Sequence, residues 1–318
     1  MPLWITLAAI YSVLLIVSHL YQNKTAAQTQ STKATDSTPS INVESVRKDG
    51  TANPDRIVRV FYNQWLPKDS STQQTPVLLM HGSPGSGDAF DELAPIIAST
   101  NRLVLAPDFP GYGKSDWAPD MSYKGQARTM STLLDELQID RVHVVGWSSS
   151  GGVALQIADR FPERVASITL LAAIGAQETE GSGSYFFEHF KYAVGYTGLG
   201  FGPELIPHFG KLGTFHSRVG WLKAFWDSDQ RELSRIMPTI TTPTLILHGR
   251  DDPLVAASGA ELHHAMIPTS QLVMLDASHF LPFMQAEETA GYLNEFFARH
   301  DIPGVEPLTS TLDLAPVP

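Results

Sequence analysis

Residues 144–152, which read VVGWSSSGG, indicate both the fold and the chemistry of this chain. The two valines end an apolar run typical of a buried strand, and the helical pattern VALQIA follows at residues 153–158. A serine among small residues at such a junction lies on a sharp, crowded turn that exposes its hydroxyl. The start of the following helix helps to stabilise negative charge. The stretch therefore predicts a serine nucleophile at the end of a strand.

Outward from this turn, strand-like and helical patterns alternate along most of the chain. Residues 56–62 alternate like a strand, and further strand-like runs lie at residues 76–80, 102–106, 142–145, 166–171, 244–247 and 271–275. Helical patterns lie at residues 88–98, 123–137, 151–161 and 286–299. This alternation predicts an α/β fold, in which helices flank a mostly parallel sheet built from residues 41–174 and 239–300.

The interval 175–238 interrupts the alternation and is rich in aromatic residues. An ordinary helical subdomain with an aromatic core would account for this composition. A helical cap that lines an apolar substrate pocket would account for it as well. We expect a cap, and the two interpretations are compatible because a cap packs partly on itself and partly on ligand.

The N-terminal segment, residues 1–21, bears on localisation. Residues 3–21 are largely apolar, and as a helix they would extend about 28 Å, close to the thickness of one bilayer hydrocarbon core. No Lys or Arg precedes the run, and it is longer than the apolar part of most signal peptides. We therefore expect a single-pass membrane anchor. A secreted or periplasmic protein, cleaved near residues 25–27, is the alternative. Lys24 after the span weakly favours a cytoplasmic catalytic domain.

The remaining segments and the composition narrow the class of protein. Residues 22–40 and 301–318 lack apolar periodicity, and we expect a flexible linker and a Pro-rich tail. The net charge of -11, without a basic stripe, argues against a nucleic-acid partner. The chain has no cysteine, which excludes disulfides, thiolate metal sites and a thiol nucleophile. We expect neither a metal nor an organic cofactor.

Acyl transfer by serine needs a base, an acid that orients the base, and donors for the oxyanion. Asp252 and His279 each follow an apolar, strand-like run, so both are expected at strand ends. The backbone N–H groups of Ser83, in the loop at residues 81–85, and of Ser149 are the candidates for the oxyanion hole. These residues complete a possible catalytic set around the serine turn.

These motifs give the chain a resemblance to the α/β-hydrolase family over residues 76–299. The resemblance rests on HGSP at residues 81–84, DFPGYGKS at residues 108–115, the serine turn and the loops of Asp252 and His279, in that order. The chain order Ser, Asp, His is the one this fold uses. The resemblance implies that the acid lies three residues after Gly249, which is Asp252, and that the protein is a serine hydrolase.

The chain departs from the family's Gly-x-Ser-x-Gly pattern, because Ser150 stands where glycine is usual and three serines adjoin. Alignment of the flanks keeps Gly146 two residues before Ser148 and favours Ser148 as the nucleophile. Ser149 would place Trp147 where a small residue is needed, and Ser150 would be displaced from the strand end. We expect the side chain of Ser150 to leave less space inside the turn, and the turn to form nevertheless. A serine here also argues against the haloalkane dehalogenase and epoxide hydrolase branches, which use aspartate.

Other residues near the motifs are candidates for lesser roles. The candidates for substrate binding are His81, Gly82, Trp147 and Phe280. His81 is better suited to shaping the oxyanion loop than to acting as a base. The pair His263 and His264 has no carboxylate at metal spacing, so we expect solvent-exposed histidines, whereas His143 is expected to be hydrogen-bonded in the core.

The sequence favours hydrolysis of an ester of an apolar small molecule, since both an aromatic cap and a membrane anchor suit a hydrophobic substrate. Hydrolysis of a carbon–carbon bond next to a ketone uses the same triad, as does a perhydrolase. A non-catalytic member that binds a small apolar ligand is a hypothesis of another class, because fold alone does not establish activity. The intact set of Ser, Asp and His argues against it.

Overall fold

The computed structural model describes residues 2–33, 38–48, 51–69, 73–209 and 215–301. Its centre is an eight-stranded sheet in the order β1-β2-β4-β3-β5-β6-β7-β8. The strands are β1 (Ser40–Val46), β2 (Ala52–Trp65), β3 (Gln74–Met80), β4 (Arg102–Pro107), β5 (Val142–Trp147), β6 (Val165–Leu171), β7 (Thr244–Gly249) and β8 (Ser270–Leu275). The pairs β1–β2 and β2–β4 are antiparallel, and all other neighbours are parallel. The expectation of a mostly parallel α/β sheet is confirmed.

Helices cover both faces of the sheet. The helices of the described residues are α1 (Leu3–Lys33), α2 (Ala94–Ala98), α3 (Tyr123–Glu136), α4 (Gly151–Arg160), α5 (Tyr185–Phe201), α6 (Phe215–Asp227), α7 (Leu233–Ile236), α8 (Ala257–Met266), α9 (Leu281–Met284) and α10 (Ala286–Arg299). One apolar core contains residues of α3 and α4, and a second, on the other face, contains residues of α2 and α10. Strands β3, β5 and β6 are buried because both faces are covered.

An ion pair with Arg102 of β4 holds Asp301, the last described residue, against the sheet. The Arg102 guanidinium, 2% exposed, donates to both oxygens of Asp301 at 2.5 and 2.6 Å and to the carbonyl of Thr75 at 3.0 Å. His143 Nε2 lies 3.4 Å from Asp301. Its Nδ1 bonds Ser167 Oγ at 2.8 Å, so this core histidine has polar partners on both ring nitrogens. The predicted Pro-rich tail beyond Asp301 lies outside the described residues.

The interval predicted as a cap holds α5, α6 and α7, inserted between β6 and β7. Aromatic side chains join α5 to α6, since Phe225 stacks on His189 at 4.5 Å and on Tyr196 at 5.2 Å between ring centroids. The insertion follows the carboxyl end of β6, at the same sheet edge as the serine turn after β5.

The N-terminal helix differs in extent from our prediction. Helix α1 continues past residue 21 to Lys33, through much of the segment interpreted as a flexible linker. Its span Leu3–Lys24 has a mean hydropathy of 2.0 and is the one helix, in the part of the chain that the structure describes, long and apolar enough to cross a membrane. A signal sequence meets the same test of length and composition.

Candidate active site

Ser148 lies on the sharp turn between β5 and α4. Its φ of +59° places a non-glycine residue in the left-handed region, a conformation that costs about 1–3 kcal/mol and that persists where the surrounding structure enforces it. The turn Ser148–Ser150 leads directly into α4, and the Ile174 N–H donates to the Ser148 carbonyl at 3.1 Å. The side chain is partly exposed and lines a cavity. The turn thus presents this hydroxyl at the carboxyl end of the sheet.

Ser150, the residue that replaces the usual glycine, is 1% exposed and turned inward. Its Oγ lies 2.7 Å from the Met80 carbonyl and 2.8 Å from the Trp147 carbonyl, so the hydroxyl links the ends of β3 and β5. A Cβ at Gly146 would lie 2.6 Å from the Ser150 carbonyl, which explains the glycine two residues before Ser148. The Ser150 hydroxyl therefore stabilises the turn through hydrogen bonding.

Asp252 and His279 are in direct contact. The His279 Nδ1–H donates to Asp252 Oδ2 at 2.7 Å, and both side chains are buried, at 3% exposure for His279 and 0% for Asp252. The other oxygen, Oδ1, accepts the N–H groups of Leu254 and Val255, both at 2.8 Å. This arrangement fixes the imidazole and leaves its Nε2 as the nitrogen able to accept a proton.

The environment of Asp252 keeps it ionised. Burial acts to raise the pKa of this carboxyl, but the hydrogen bonds from His279, Val255 and Leu254 outweigh it, and the pKa lies below its usual value. A second histidine, His248, lies beside the carboxylate, with Nε2 3.4 Å from Oδ2 and 3.1 Å from the Val255 carbonyl. Burial lowers the pKa of His248, so its ring is neutral. Asp252 therefore presents a negative charge to His279.

Trp147 connects the serine turn to the histidine. Its Nε1–H donates to the His279 carbonyl at 3.1 Å, and its ring centroid lies 5.6 Å from that of His279. Within the described residues, no hydrogen bond joins Ser148 Oγ to the His279 ring. Catalytic hydrogen bonds of this kind often tighten only in the substrate complex. The structure thus brings Asp252 and His279 together and holds His279 against the residue that precedes Ser148.

The loop at residues 81–85 lies against Ser148. A Cβ at Gly82 would be 2.9 Å from Ser148 Cβ, so only glycine fits at this distance. His81 uses both ring nitrogens on the backbone: Nδ1 donates to the Gly82 carbonyl at 2.7 Å, and Nε2 accepts the Phe109 N–H at 3.1 Å. Burial lowers the pKa of His81, which keeps it neutral. Both ring nitrogens of His81 are therefore used in hydrogen bonds that hold the loop.

Two tyrosines missed by the sequence analysis hold Ser83. Tyr112 Oη donates to Ser83 Oγ at 3.0 Å, and Tyr196 Oη, from the cap helix α5, lies 3.4 Å from the Ser83 carbonyl. Tyr112 belongs to the motif at residues 108–115, but its distance from Ser83 in the chain gave no signal of contact. The cap and the core therefore meet at the loop of the candidate oxyanion hole.

A cavity of about 530 Å³ opens on Ser148, within the range of small-molecule sites. Its lining includes predicted site residues and aromatic residues of the cap: His81, Gly82, Ser83, Ser148, Ser149, Tyr185, His189, Tyr192, Tyr196 and Phe225. Two carboxyl groups, Glu180 and Glu188, and one cation, Lys191, also lie in the described lining. Lys191 pairs with Glu188, and burial raises the pKa of Glu180, which accepts a hydrogen bond from Gln230 at 3.1 Å.

Two predicted substrate contacts lie elsewhere. Trp147 is 7% exposed and packs against Phe90 and Phe283, and it is not among the described residues that line the cavity. Phe280 is 37% exposed and stacks on Phe283, also away from the described lining. Both predictions relied on closeness in sequence to the catalytic residues, which does not determine the direction of a side chain.

The expectation of solvent-exposed histidines at residues 263 and 264 is wrong for one of them. His263 is 1% exposed, its Nε2 accepts the Ala176 N–H at 2.9 Å, and burial lowers its pKa to about 4. It supports the loop after β6. His264 is exposed and contacts Ser270 Oγ at 2.8 Å. Among the residues that the structure describes, no group of three or more His, Asp or Glu could hold a metal ion.

The fold and this site define an α/β protein with a serine at a strand-to-helix turn and a buried Asp–His pair. Residues 75–212 match the family described as alpha/beta hydrolase fold. A non-heme chloroperoxidase of Burkholderia pyrrocinia is 30% identical over 64% of this chain and 83% of its own length. The 2-hydroxy-6-oxo-2,4-heptadienoate hydrolase of Pseudomonas putida is 29% identical over 71% of this chain and 90% of its own length. An esterase structure from Exiguobacterium antarcticum, 20% identical, superposes with a TM-score of 0.61 over 81% of this chain and 98% of the esterase.

The chain belongs to the α/β-hydrolase family, and the protein is an enzyme, as the sequence analysis predicted. The relatives differ in their names, so family membership supports hydrolase activity in general.

Proposed function

We propose that the protein is a serine hydrolase that cleaves an ester of an apolar small molecule. Ser148 attacks the carbonyl carbon, His279 accepts the serine proton, and Asp252 holds the imidazole in the productive tautomer. The N–H groups of Ser83 and Ser149 stabilise the oxyanion, and water then hydrolyses the acyl-enzyme. The proposal rests on two observations. Ser148 lies in the left-handed region on the cavity wall, and a buried His279–Asp252 pair at 2.7 Å contacts, through the His279 carbonyl, the Trp147 that precedes Ser148.

The charge of the cavity supports a neutral ester. The P. putida relative is named for a dienoate, which is a carboxylate. In this chain the described cavity lining has two carboxyl groups, and its one cation, Lys191, is paired with Glu188. A carboxylate substrate would therefore be buried in a cavity whose one described cation is already paired, and an unpaired buried charge is costly. Carbon–carbon bond hydrolysis of such an acid is the second candidate, supported by that relative's name, and a perhydrolase is the third, supported by the name of the B. pyrrocinia relative.

We infer a membrane-anchored enzyme from α1. The span Leu3–Lys24 has the length and hydropathy of a transmembrane helix, and only 6% of its most apolar window is buried in the fold. An apolar substrate would concentrate in the bilayer to which such an anchor holds the enzyme. Recovery of the full chain in the membrane fraction after alkaline carbonate washing would support the anchor. Recovery of a shortened, soluble chain beginning near residues 25–27 would contradict it.

The ester hydrolase proposal is tested with p-nitrophenyl esters of increasing acyl length and a vinylogous diketone acid. We expect turnover of esters, and its loss by at least about 10³-fold in Ser148→Ala and in His279→Ala. His264→Ala, which changes an exposed histidine, serves as the matched control and keeps turnover. Faster turnover of the diketone acid than of every ester would favour the second candidate, and retained ester turnover in both variants would refute the mechanism.

A further inference from the structure

Helix α5 presents different residues to the cavity and to solvent. Tyr185, His189, Tyr192 and Tyr196 line the cavity and, at about 100° per residue, share one side of the helix. The other side carries an apolar stripe, which we define as Phe186, Phe187, Phe190, Val194 and Phe201. These five side chains are 81%, 60%, 69%, 57% and 44% exposed and lie within about 100° of the helix circumference.

The apolar stripe is unusual for a solvated helix face. The charged residues of α5 are Glu188 and Lys191, which pair with each other outside the stripe. Single exposed apolar residues are common on proteins, but several large exposed apolar side chains on one side of a helix mark an interaction surface. The stripe extends beyond the helix, since Leu205 and Ile206 are 69% and 53% exposed.

Helix α1 contacts the fold at the end of this stripe. Tyr11 Oη donates to the Leu205 carbonyl. Ser18, which is 0% exposed, accepts the backbone N–H groups of His208 at 3.0 Å and Phe209 at 2.9 Å. The polar side chains of Tyr11 and Ser18 therefore face the segment that follows α5. Most of its apolar side chains remain exposed, including Leu7, Val13, Ile16 and Leu20.

We propose that the apolar stripe of α5 inserts, alongside α1, into the apolar layer of a phospholipid bilayer, so that the cap faces the membrane. The exposed apolar surfaces of α1 and α5 meet at residues 204–209, and one lipid surface would cover both. With a net charge of -11 and no free cation in the stripe, attraction comes from burial of apolar side chains and not from anionic lipid. The proposal rests on the anchoring by α1 proposed above.

The absence of cysteine allows single labels to be placed in the full chain. An environment-sensitive fluorophore is attached at Phe190→Cys, with Val194→Cys as a second stripe position. Leu14→Cys reports on α1, and Glu295→Cys, 71% exposed on α10, is the matched control outside the stripe. Each labelled protein is reconstituted in phosphatidylcholine vesicles, and quenching is compared between brominated lipid and aqueous iodide.

We expect brominated lipid to quench the labels at positions 14, 190 and 194, and iodide to quench the label at position 295. Iodide quenching at 190 and 194, with lipid quenching at 14, would refute the placement of the stripe and leave the anchor intact. Labels at 190 and 194 shielded from both quenchers would assign the stripe to a second copy or another protein and overturn the proposal. Lack of lipid quenching at 14 would refute the anchor itself.

An activity measurement separates access to membrane substrate from chemistry. Phe186→Ser with Phe190→Ser changes stripe residues that are not in the described cavity lining. We expect the double variant to lose at least about fivefold in turnover of a long-chain ester dissolved in vesicles, while turnover of a short, water-soluble ester stays unchanged. Equal turnover of the vesicle-bound ester by both proteins would contradict the proposal.

Discussion

Replacing Asp252 by asparagine tests whether this carboxylate holds His279 in the tautomer that accepts the proton of Ser148. The two oxygens of Asp252 have different partners. Oδ1 accepts the N–H groups of Leu254 and Val255, and Oδ2 accepts Nδ1–H of His279. An asparagine keeps the two backbone hydrogen bonds through its oxygen, which places its NH₂ group against His279. The imidazole must then accept at Nδ1 and carry its proton on Nε2, where it cannot act as a base.

The expected size of the effect follows from this change of tautomer. A triad histidine held in the wrong tautomer loses about 10⁴-fold in kcat, which corresponds to about 5.5 kcal/mol of transition-state stabilisation. The assay is steady-state hydrolysis of a p-nitrophenyl ester, with a thermal melt to verify folding. The pKa of Asp252 is lower in the folded protein than in the unfolded chain, so its negative charge stabilises the fold at pH values above the unfolded pKa. Asp252→Asn lacks this charge, and we therefore expect a somewhat lower melting temperature at pH 7.

Asp251→Asn is the matched control, because it makes the same change at the neighbouring, exposed residue. We expect its kcat to stay within about twofold of the unmodified enzyme, as for most surface substitutions. A loss smaller than about tenfold in folded Asp252→Asn would refute the tautomer argument. An equal loss in the two variants would show that charge near the loop, and not the contact with His279, governs the rate.

Three further substitutions test the turn, the oxyanion loop and the core. Ser150→Ala removes a hydroxyl from two buried carbonyls, and we expect denaturant titration to show about 1–3 kcal/mol less free energy of unfolding. Gly82→Ala places a methyl 2.9 Å from Ser148 Cβ, and kcat/KM for esters should fall about 10²–10³-fold without loss of folding. Asp301→Asn leaves Arg102 buried without its carboxylate and should lower the free energy of unfolding by about 3–5 kcal/mol at pH 7. Burial acts to raise the pKa of Asp301, but the hydrogen bonds with Arg102 outweigh burial, and the pKa lies below its usual value. The ion pair therefore stabilises the fold fully above the unfolded carboxyl pKa of about 3.9. This contribution to the free energy of unfolding is lost as the pH falls below that value.

Each substitution has an outcome that contradicts the reasoning behind it. Unchanged unfolding of Ser150→Ala would mean that the carbonyls of Met80 and Trp147 do not depend on this hydroxyl. Full ester turnover by Gly82→Ala would remove the loop at residues 81–85 from the oxyanion site. For Asp301→Asn, a stability difference that persists undiminished at pH 3 would argue against the carboxylate as its source.

The core of the fold could be predicted because its strands are buried on both faces and read as short apolar runs. Residues 76–80 and 166–171 coincide with β3 and β6 to within two residues. Strand β1 was missed, because Ser40–Val46 is an edge strand with a largely polar sequence and, among the described strands, pairs only with β2. The extent of α1 was also missed. Its last turns are polar, and no change of helical propensity marks the end of the apolar run.

The candidate catalytic residues could be chosen from sequence because each follows a parallel strand, and the carboxyl ends of such strands meet at one edge. The contact of Asp252 with His279 lies where that rule places it. Side-chain direction was not predictable in the same way. Trp147 adjoins Ser148 in sequence, yet it turns away from the cavity and bonds the His279 carbonyl. Burial of His263 was hidden as well, because only the tertiary contact with Ala176 reveals it.

The central claim is that Ser148 is the nucleophile, and covalent labelling tests it most directly. The enzyme is treated with a fluorophosphonate, digested, and the peptide with residues 148–150 is fragmented in a mass spectrometer to locate the adduct. We expect one adduct on Ser148, its loss in Ser148→Ala, and a strong decrease in His279→Ala. An adduct on Ser149 or Ser150, or labelling of Ser148→Ala at the same rate, would contradict the account.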